Sequence, residues 1–309
     1  MDLVLAAALL VVSIVGLWLG AEWLVGGAAA IARHLGVSEL VIGLTVVAFG
    51  TGLPEAVVTL DAVATGHTDL AVGNVVGSNI VNIAVVLGVV ALVSSLPVSR
   101  SLVRRDGLAL IGTTIIAVVA AADGRVSQLE GGLLLTLWLG YIWTLFRNHG
   151  SGPRRDPEES AERVSVGAVG KLVVGLAVVV ASGALLVESA TTLARAFGIS
   201  EWTIGATVVA IGTSTPELVV SLLGVLRGRT GLSLGNVIGS NIVNLFGVLG
   251  LAALINPLSV TADAFGGMLW LLALVAVFLA TLWTGHRLSR LEGGALLSSE
   301  VVRWVIGFV

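Results

Sequence analysis

Two carboxylates carry the chemistry this sequence offers. Glu55 closes the stretch Gly43-Leu-Thr-Val-Val-Ala-Phe-Gly-Thr-Gly-Leu-Pro-Glu55, and Glu217 closes its copy Gly205-Ala-Thr-Val-Val-Ala-Ile-Gly-Thr-Ser-Thr-Pro-Glu217, 162 residues later. Each stretch is apolar enough to enter a bilayer, yet glycines, a proline and the carboxylate interrupt its middle. A charged side chain at a bilayer centre costs at least about 2.5–3.5 kcal/mol. No basic residue lies at corresponding depth in the apolar segments around them, which leaves a proton or a bound cation to offset the cost. Two carboxylates taken to lie about 5 Å apart repel by roughly 3 kcal/mol at an effective dielectric near 20. A divalent cation between them reverses that sign.

The backbone beside each carboxylate offers further oxygens. Pro54 has no N–H and turns Leu53 away from the helical region, as Pro216 does Thr215. The carbonyls around Ala48, Phe49, Gly50 and Thr51, and from Ala210 to Thr213, are therefore expected to lack helical partners. A membrane tolerates such groups only where they line a cavity or bind an ion, and a hard cation such as calcium takes about six to eight oxygens. The next apolar segment adds Asn74, Ser78 and Asn82 at i, i+4 and i+8, on one helix face, with Asn79 flanking; Asn236, Ser240, Asn244 and Asn241 repeat the pattern. Ser78, Asn82, Ser240 and Asn244 are expected to face the site. Asn74, Asn79, Asn236 and Asn241 serve either packing or support of the ligands.

The elements that must position these groups follow from composition. Of 309 residues, 56% are hydrophobic and 11% charged, against about 25% charged in soluble domains. That deficit runs along the whole chain and implies a polytopic membrane protein. The absence of cysteine excludes disulfides, thiolate metal sites and cysteine nucleophiles. Ten candidate spans lie at about 3–32, 38–65, 70–96, 105–122, 127–146, 168–194, 200–226, 231–255, 264–284 and 291–308, each near the ~20 residues a bilayer requires. The first reads as a retained span and not as a signal peptide.

The expected organisation is a five-helix repeat over 1–146, a polar cytoplasmic linker over 147–167, and a second five-helix repeat over 168–309. Ser38 matches Ser200, Asn74 matches Asn236, and Ser127-Gln-Leu-Glu-Gly-Gly matches Ser289-Arg-Leu-Glu-Gly-Gly, all at the same offset of 162. An odd number of spans per half inserts the second half upside down, the pattern of secondary transporters with a mid-membrane site. The expected fold class is thus all-α membrane, with broken helices at spans 2 and 7. With the N-terminus outside, inner loops hold 13 Lys and Arg residues and outer loops only Arg125 and Arg195. That bias puts both termini outside.

Taken together, Gly-Thr-Gly-Leu-Pro-Glu with Gly-Asn-Val-Val-Gly-Ser-Asn-Ile-Val-Asn, and Gly-Thr-Ser-Thr-Pro-Glu with Gly-Asn-Val-Ile-Gly-Ser-Asn-Ile-Val-Asn, resemble the two α-repeats of the cation/calcium antiporters, and more narrowly the prokaryotic sodium/calcium exchangers. The resemblance covers nearly the whole chain. It implies ten helices, with spans 2, 3, 7 and 8 around four cation sites and the long spans 1 and 6 sliding between two open states. By motif position it implies that Glu55 and Glu217 ligate calcium and also serve sodium, joined by the carbonyls of Thr51 and Thr213. Ser78, Ser240 and Ser214 would give hydroxyls to sodium, Ala48 and Ala210 carbonyls, and Asn82 and Asn244 would line the centre. Two positions depart from the pattern. Gly52 stands where many relatives have the serine that Ser214 keeps, and Asn244 stands where some, the potassium-dependent exchangers among them, have aspartate. The site then holds two carboxylates, a charge that one calcium neutralises, and the asparagine speaks against potassium co-transport.

The reading implied is a sodium/calcium antiporter of the prokaryotic inner membrane, with calcium and sodium as bound substrates and the lipid bilayer as surroundings. No cofactor, nucleic acid, enzymatic activity or obligatory protein partner is expected. A proton/calcium exchanger, or one for magnesium or manganese, is the near alternative, since oxygen-rich sites do not select by ligand type alone. A cation channel using the same glutamates is more distant, and an intramembrane enzyme comes last. Glu22, Asp61 and Glu188 have no carboxylate counterpart in the other half and are read as span-end or cavity-facing residues. Glu300 and Arg303, three apart, are expected to form a structural ion pair.

Overall fold

A computed structural model of the chain describes residues 2–147, 166–198 and 210–306. Most of the linker and the first half of the seventh expected span fall outside these residues. Helix α1 spans Leu3–Leu35, closed by Gly36 in the left-handed region at φ 66°. Next come α2 (Glu39–Thr51) and α3 (Leu53–Ala64), one apolar run bent by 47° at the break. They are followed by α4 (Thr68–Val93), α5 (100–120), α6 (Gln128–Arg147) and α7 (Val166–Ala196). The second half continues with α8 (Ala210–Thr213), α9 (Thr215–Leu226), α10 (Thr230–Ile255), α11 (Ala262–Gly285) and α12 (Arg290–Ile306).

Among the described residues, six helices are long and apolar enough to cross a membrane, seven with the bent pair. Among these residues the expected fourth and tenth spans do not reach that standard on their own, and the first half of the seventh lies outside them. The start of α5 carries Arg100, Arg104, Arg105 and Asp106, and α12 carries Arg290, Glu292, Glu300 and Arg303. For α9, only a 12-residue apolar helix is described. The chain is also not purely helical. Among the described residues, four two-residue strands form two antiparallel ladders: β1 (Leu96–Pro97) with β4 (Arg287–Leu288), and β2 (Arg125–Val126) with β3 (Leu258–Ser259). Such short pairings leave almost no periodicity in a sequence.

Among the described residues, three stretches widen into π-helical turns: 43–47 in α2, 81–86 in α4 and 243–248 in α10, the last two again 162 apart; a fourth lies at 103–107 in α5. Single π turns inside α-helices are rare and concentrate at functional sites.

The chain forms two compact units, and each draws on both sequence halves: Met1–Pro54 with Leu145–Asn236, and Glu55–Thr144 with Val237–Val309. In the first, α1 and α7 run antiparallel and close. A Cβ on Gly16 would meet Ser182 Oγ at 2.3 Å, one on Gly20 would meet Val179 N at 2.9 Å, and one on Gly27 would meet Leu172 N at 2.5 Å. Leu17, Ala21, Leu24, Val25, Ala28 and Ala32 bury this face with Leu172, Val179, Val220 and Leu223. Helix α2 crosses the start of α10 at backbone distance, since a Cβ on Gly235 would lie 2.4 Å from Leu40 O. Without a hydrophobic driving force between helices in lipid, close packing of small residues holds such pairs.

The second unit uses the same device twice. A Cβ on Gly88 would meet Gly293 O at 3.0 Å, and one on Gly131 would meet Gly250 O at 2.7 Å; the two pairs map onto each other by the offset of 162. Its helices α6 and α12 begin with capping boxes. Glu130 Oε2 accepts from Ser127 N at 2.8 Å and from its hydroxyl at 2.7 Å, and Glu292 Oε2 accepts from Ser289 N and Oγ, both at 2.7 Å. The expected pair of Glu300 and Arg303 forms, at 2.5 Å with Glu300 almost wholly buried.

Adjacent glycines on α1 give a clean test. Gly27 faces the α7 backbone, whereas a Cβ on Gly26 meets nothing within 4 Å. Gly27→Ala is expected to destabilise by roughly 1–3 kcal/mol through overpacking, read as a lower thermal midpoint in detergent, while Gly26→Ala leaves the midpoint unchanged or slightly raised.

Candidate functional site

Each expected carboxylate sits in the first turn of a helix that begins inside an apolar run. In the first unit α8 ends at Thr213, Ser214 turns at φ −86° and ψ 5°, and α9 starts with Pro216 and Glu217 in its first turn. Proline fits this position because the first-turn N–H groups have no helical acceptor. A carboxylate there faces the positive end of the helix dipole, worth about 0.3–1 kcal/mol and up to ~2 kcal/mol in partly buried geometries. Glu217 is 0% exposed, and neither carboxylate oxygen has a hydrogen-bond partner among the described residues. The Thr51 hydroxyl lies beside it but gives its one proton to Asn236 Oδ1, at 3.1 Å.

Asn236 is the residue that ties this half together. Its Nδ2 donates to the Glu217 carbonyl at 3.4 Å and to Ser221 Oγ at 3.0 Å, while its Oδ1 takes the Thr51 proton. One buried amide on α10 thus joins the last turn of α2 to the first turns of α9. Thr51, Thr213 and Ser214 are all buried here, as is Ala48. Ala210 opens α8. The glycines of both breaks rest on α7: a Cβ on Gly50 would meet Leu176 Cδ1 at 2.6 Å, and one on Gly212 would meet Val187 Cγ2 at 2.4 Å.

The second unit holds the matching arrangement. Glu55 is 0% exposed, in the first turn of α3, and Asn74 Nδ2 donates to its carbonyl at 3.1 Å and to Thr59 Oγ1 at 2.9 Å. Asn82 and Asn244 are fully buried, and all four of their amide atoms lack partners among the described residues. Both stand at the start of π-helical turns, where their carbonyls accept from Leu87 N and Leu249 N. Ser78 and Ser240 are buried one turn earlier. Asn79 and Asn241 bond their own helices, donating to Val75 O at 2.6 Å and Val237 O at 2.8 Å.

These bonds divide the amide stripe: Asn74 and Asn236 donate to the backbone of the glutamates, and Asn79 and Asn241 donate to their own helices while their Oδ1 atoms lack partners among the described residues. They also bring in two residues that the sequence reading missed, Thr59 and Ser221, both fully buried. Each lies four residues after its glutamate and the two are 162 apart, a signal that was present. One expectation needs correction. The Ala48 carbonyl is not released by Pro54, because Gly52 N–H bonds it at 3.1 Å; the proline removes a donor two residues further on.

A buried polar group left unpaired costs about 1–3 kcal/mol, and native structures carry few of them. In the first unit the two Glu217 carboxylate oxygens, and in the second the side-chain oxygens of Asn82 and Asn244, are such acceptors, and each set fits an oxygen-seeking substrate. Amide and carboxylate oxygens suit hard cations.

Residues 5–147 and 167–299 match the model of the sodium/calcium exchanger protein family. The chain is 39% identical over 310 residues to a protein of Alkalimonas amylolytica named putative antiporter CaxA, covering 97% of each. It is 33% identical over 281 residues to the sodium/calcium exchanger MaX1 of Methanosarcina acetivorans, covering 77% of this chain and 80% of that one. Its fold is similar to that of the sodium–calcium exchanger NCX_Mj, with a TM-score of 0.89 at 32% identity over 98% of this chain and 99% of the other. Buried matched carboxylates on broken apolar helices and this likeness over nearly the full length agree: the chain is an integral membrane protein and belongs to the sodium/calcium exchanger family.

Proposed function

We propose that this chain is a secondary antiporter that exchanges sodium for calcium across the inner membrane by alternating access. The observation that carries the reading is the pair of half-sites. Each has a fully buried glutamate at a helix start and an asparagine bonded to the glutamate's own carbonyl, at one offset of 162 residues. Matched halves of this kind suit a substrate met from two sides in turn. The relative MaX1 bears the name sodium/calcium exchanger, which favours sodium as the coupling ion.

In this proposal Glu55 and Glu217 are the calcium ligands, with the carbonyls of Thr51 and Thr213. Ser78, Ser240, Ser214 and the carbonyls of Ala48 and Ala210 serve sodium, and Asn82 and Asn244 line the centre. The ten spans form two inverted five-helix repeats. The strand ladders support that topology: six helical spans separate β1 from β4 and four separate β2 from β3, counting α8 with α9 as one. Even numbers return the chain to one side of the membrane, as pairing requires. The arginine bias then puts both termini outside.

In proteoliposomes, Glu55→Gln and Glu217→Gln are each expected to abolish calcium-45 uptake driven by a sodium gradient; uptake at the wild-type level in either variant sinks the assignment. A pH gradient without sodium is expected to drive none, and uptake under that condition selects the proton/calcium exchanger instead.

Asn74 and Asn236 act on the ligands through the backbone, and supporting residues of this kind typically shift metal affinity by about 10–100-fold. Asn236→Ala and Asn74→Ala are each expected to raise the calcium concentration for half-maximal uptake within that range. An unchanged value would assign the two asparagines to packing alone.

A further inference from the structure

A second polar feature lies in the unit formed by Glu55–Thr144 and Val237–Val309, and ion exchange does not use it. A cavity of about 210 Å³ opens at the junction of α5 and α11, lined by Arg100, Val103, Arg104, Trp283 and His286. Three of its five lining residues are basic or can become so, and none is acidic.

The β1–β4 ladder builds this cavity. Pro97 pairs with Arg287, and Val98 N–H donates to His286 O at 2.9 Å, so α5 starts beside the end of α11. Ser99 caps α5, accepting from Leu102 N at 3.2 Å. Arg100 and Arg104 then follow one turn apart. His286 caps α11 in the left-handed region, at φ 47°, and is the only described non-glycine residue there. Trp283 stands one turn before it and is 54% exposed.

Asp106 of α5 and Glu292 of α12 are already committed. Asp106 takes both arms of Arg105, at 2.8 Å each, and the Tyr141 hydroxyl at 3.2 Å. Glu292 caps its own helix through Ser289. Arg100 and Arg104 make no ion pair or side-chain hydrogen bond with any described residue. Two exposed unpaired arginines, a histidine and the positive end of α5 therefore converge on one concavity.

We propose that this cavity binds the phosphate of an anionic lipid headgroup. Free inorganic phosphate shares the chemistry, but the setting favours the lipid. The cavity lies at the end of α11, which is long and apolar enough to cross a membrane, and a half-exposed tryptophan on its wall matches the aromatic belt at headgroup depth. Basic pockets between transmembrane helices bind such headgroups, and arginine forks match phosphate oxygens. In the orientation proposed above the cavity faces the inner leaflet. The binding itself rests only on the membrane setting, so its failure leaves the exchange reading untouched.

The test is native mass spectrometry of the detergent-solubilised chain titrated with phosphatidylglycerol or phosphatidylcholine. Wild type is expected to retain phosphatidylglycerol in preference. Arg100→Gln with Arg104→Gln is expected to weaken that retention by about fivefold per arginine, while Arg125→Gln, whose side chain pairs with Asp123 on a different loop, leaves it intact. Equal retention of the two lipids, or unchanged retention in the double variant, overturns the proposal. Displacement of phosphatidylglycerol by millimolar inorganic phosphate overturns the lipid as source and assigns the cavity to free phosphate. A thermal midpoint like that of wild type shows the variant is folded; if the double variant does not fold, each single variant is read against the same outcomes.

Discussion

Everything in this molecule answers to the cost of keeping a carboxylate inside an apolar layer. Charging such a group there costs at least about 2.5–3.5 kcal/mol. Starting a helix just before it, as α3 does for Glu55 and α9 for Glu217, returns at most ~2 kcal/mol through the helix dipole. The break therefore softens the penalty without removing it, and in the proposed function a bound cation or proton offsets the remainder. In that proposal the shortfall separates the glutamates from a structural ion pair. Glu300 shows the contrast: it is just as buried, but Arg303 lies against it, and nothing further is needed.

The supporting structure keeps the broken ends from drifting. Asn74 and Asn236 each spend an amide on the backbone of a glutamate and on a hydroxyl one turn later, so position is fixed through the main chain and not through the carboxylate. Tight glycine crossings carry the load elsewhere. At Gly43 and Gly235 the backbones of α2 and α10 touch, which brings Thr51 within reach of Asn236. The crossing and the hydrogen bond thus depend on each other: a side chain at either glycine would move the donor away from its acceptor.

Much of this was legible in the residues. The doubled Gly-Thr-x-x-Pro-Glu motif located both helix breaks, and the offset of 162 paired Asn74 with Asn236 before any hydrogen bond was seen. What escaped was of two kinds. Thr59 and Ser221 carried the same offset but look like ordinary helix residues, and only the geometry shows that an asparagine 15 residues away reaches them. The π-helical turns at 81–86 and 243–248 and the two-residue ladders had no local signal at all, because both arise from packing between distant segments. The Ala48 carbonyl was misjudged for a simpler reason. A proline deletes its own N–H and disturbs the residue before it, so its effect on carbonyls reaches back to the fourth residue and not the sixth.

The asymmetry between the breaks then becomes a question of chemistry alone. Gly52 stands at φ −77° and ψ 3°, and Ser214 at φ −86° and ψ 5°. Both conformations are open to any L-residue, since glycine is needed only where φ is positive. The backbone at Gly52 therefore does not call for glycine, and its difference from Ser214 is the loss of a hydroxyl. Asn82 and Asn244, by contrast, match in type, burial and unpaired amides. Of these matched positions the asparagines are alike and the break residues are not. A substrate that uses only carboxylates and amides would meet equivalent halves, whereas one that recruits a hydroxyl at the break would find it on the Ser214 side alone. Since the hydroxyl ligands are the ones assigned to sodium in the proposal, unequal halves would bear on sodium and leave calcium binding even.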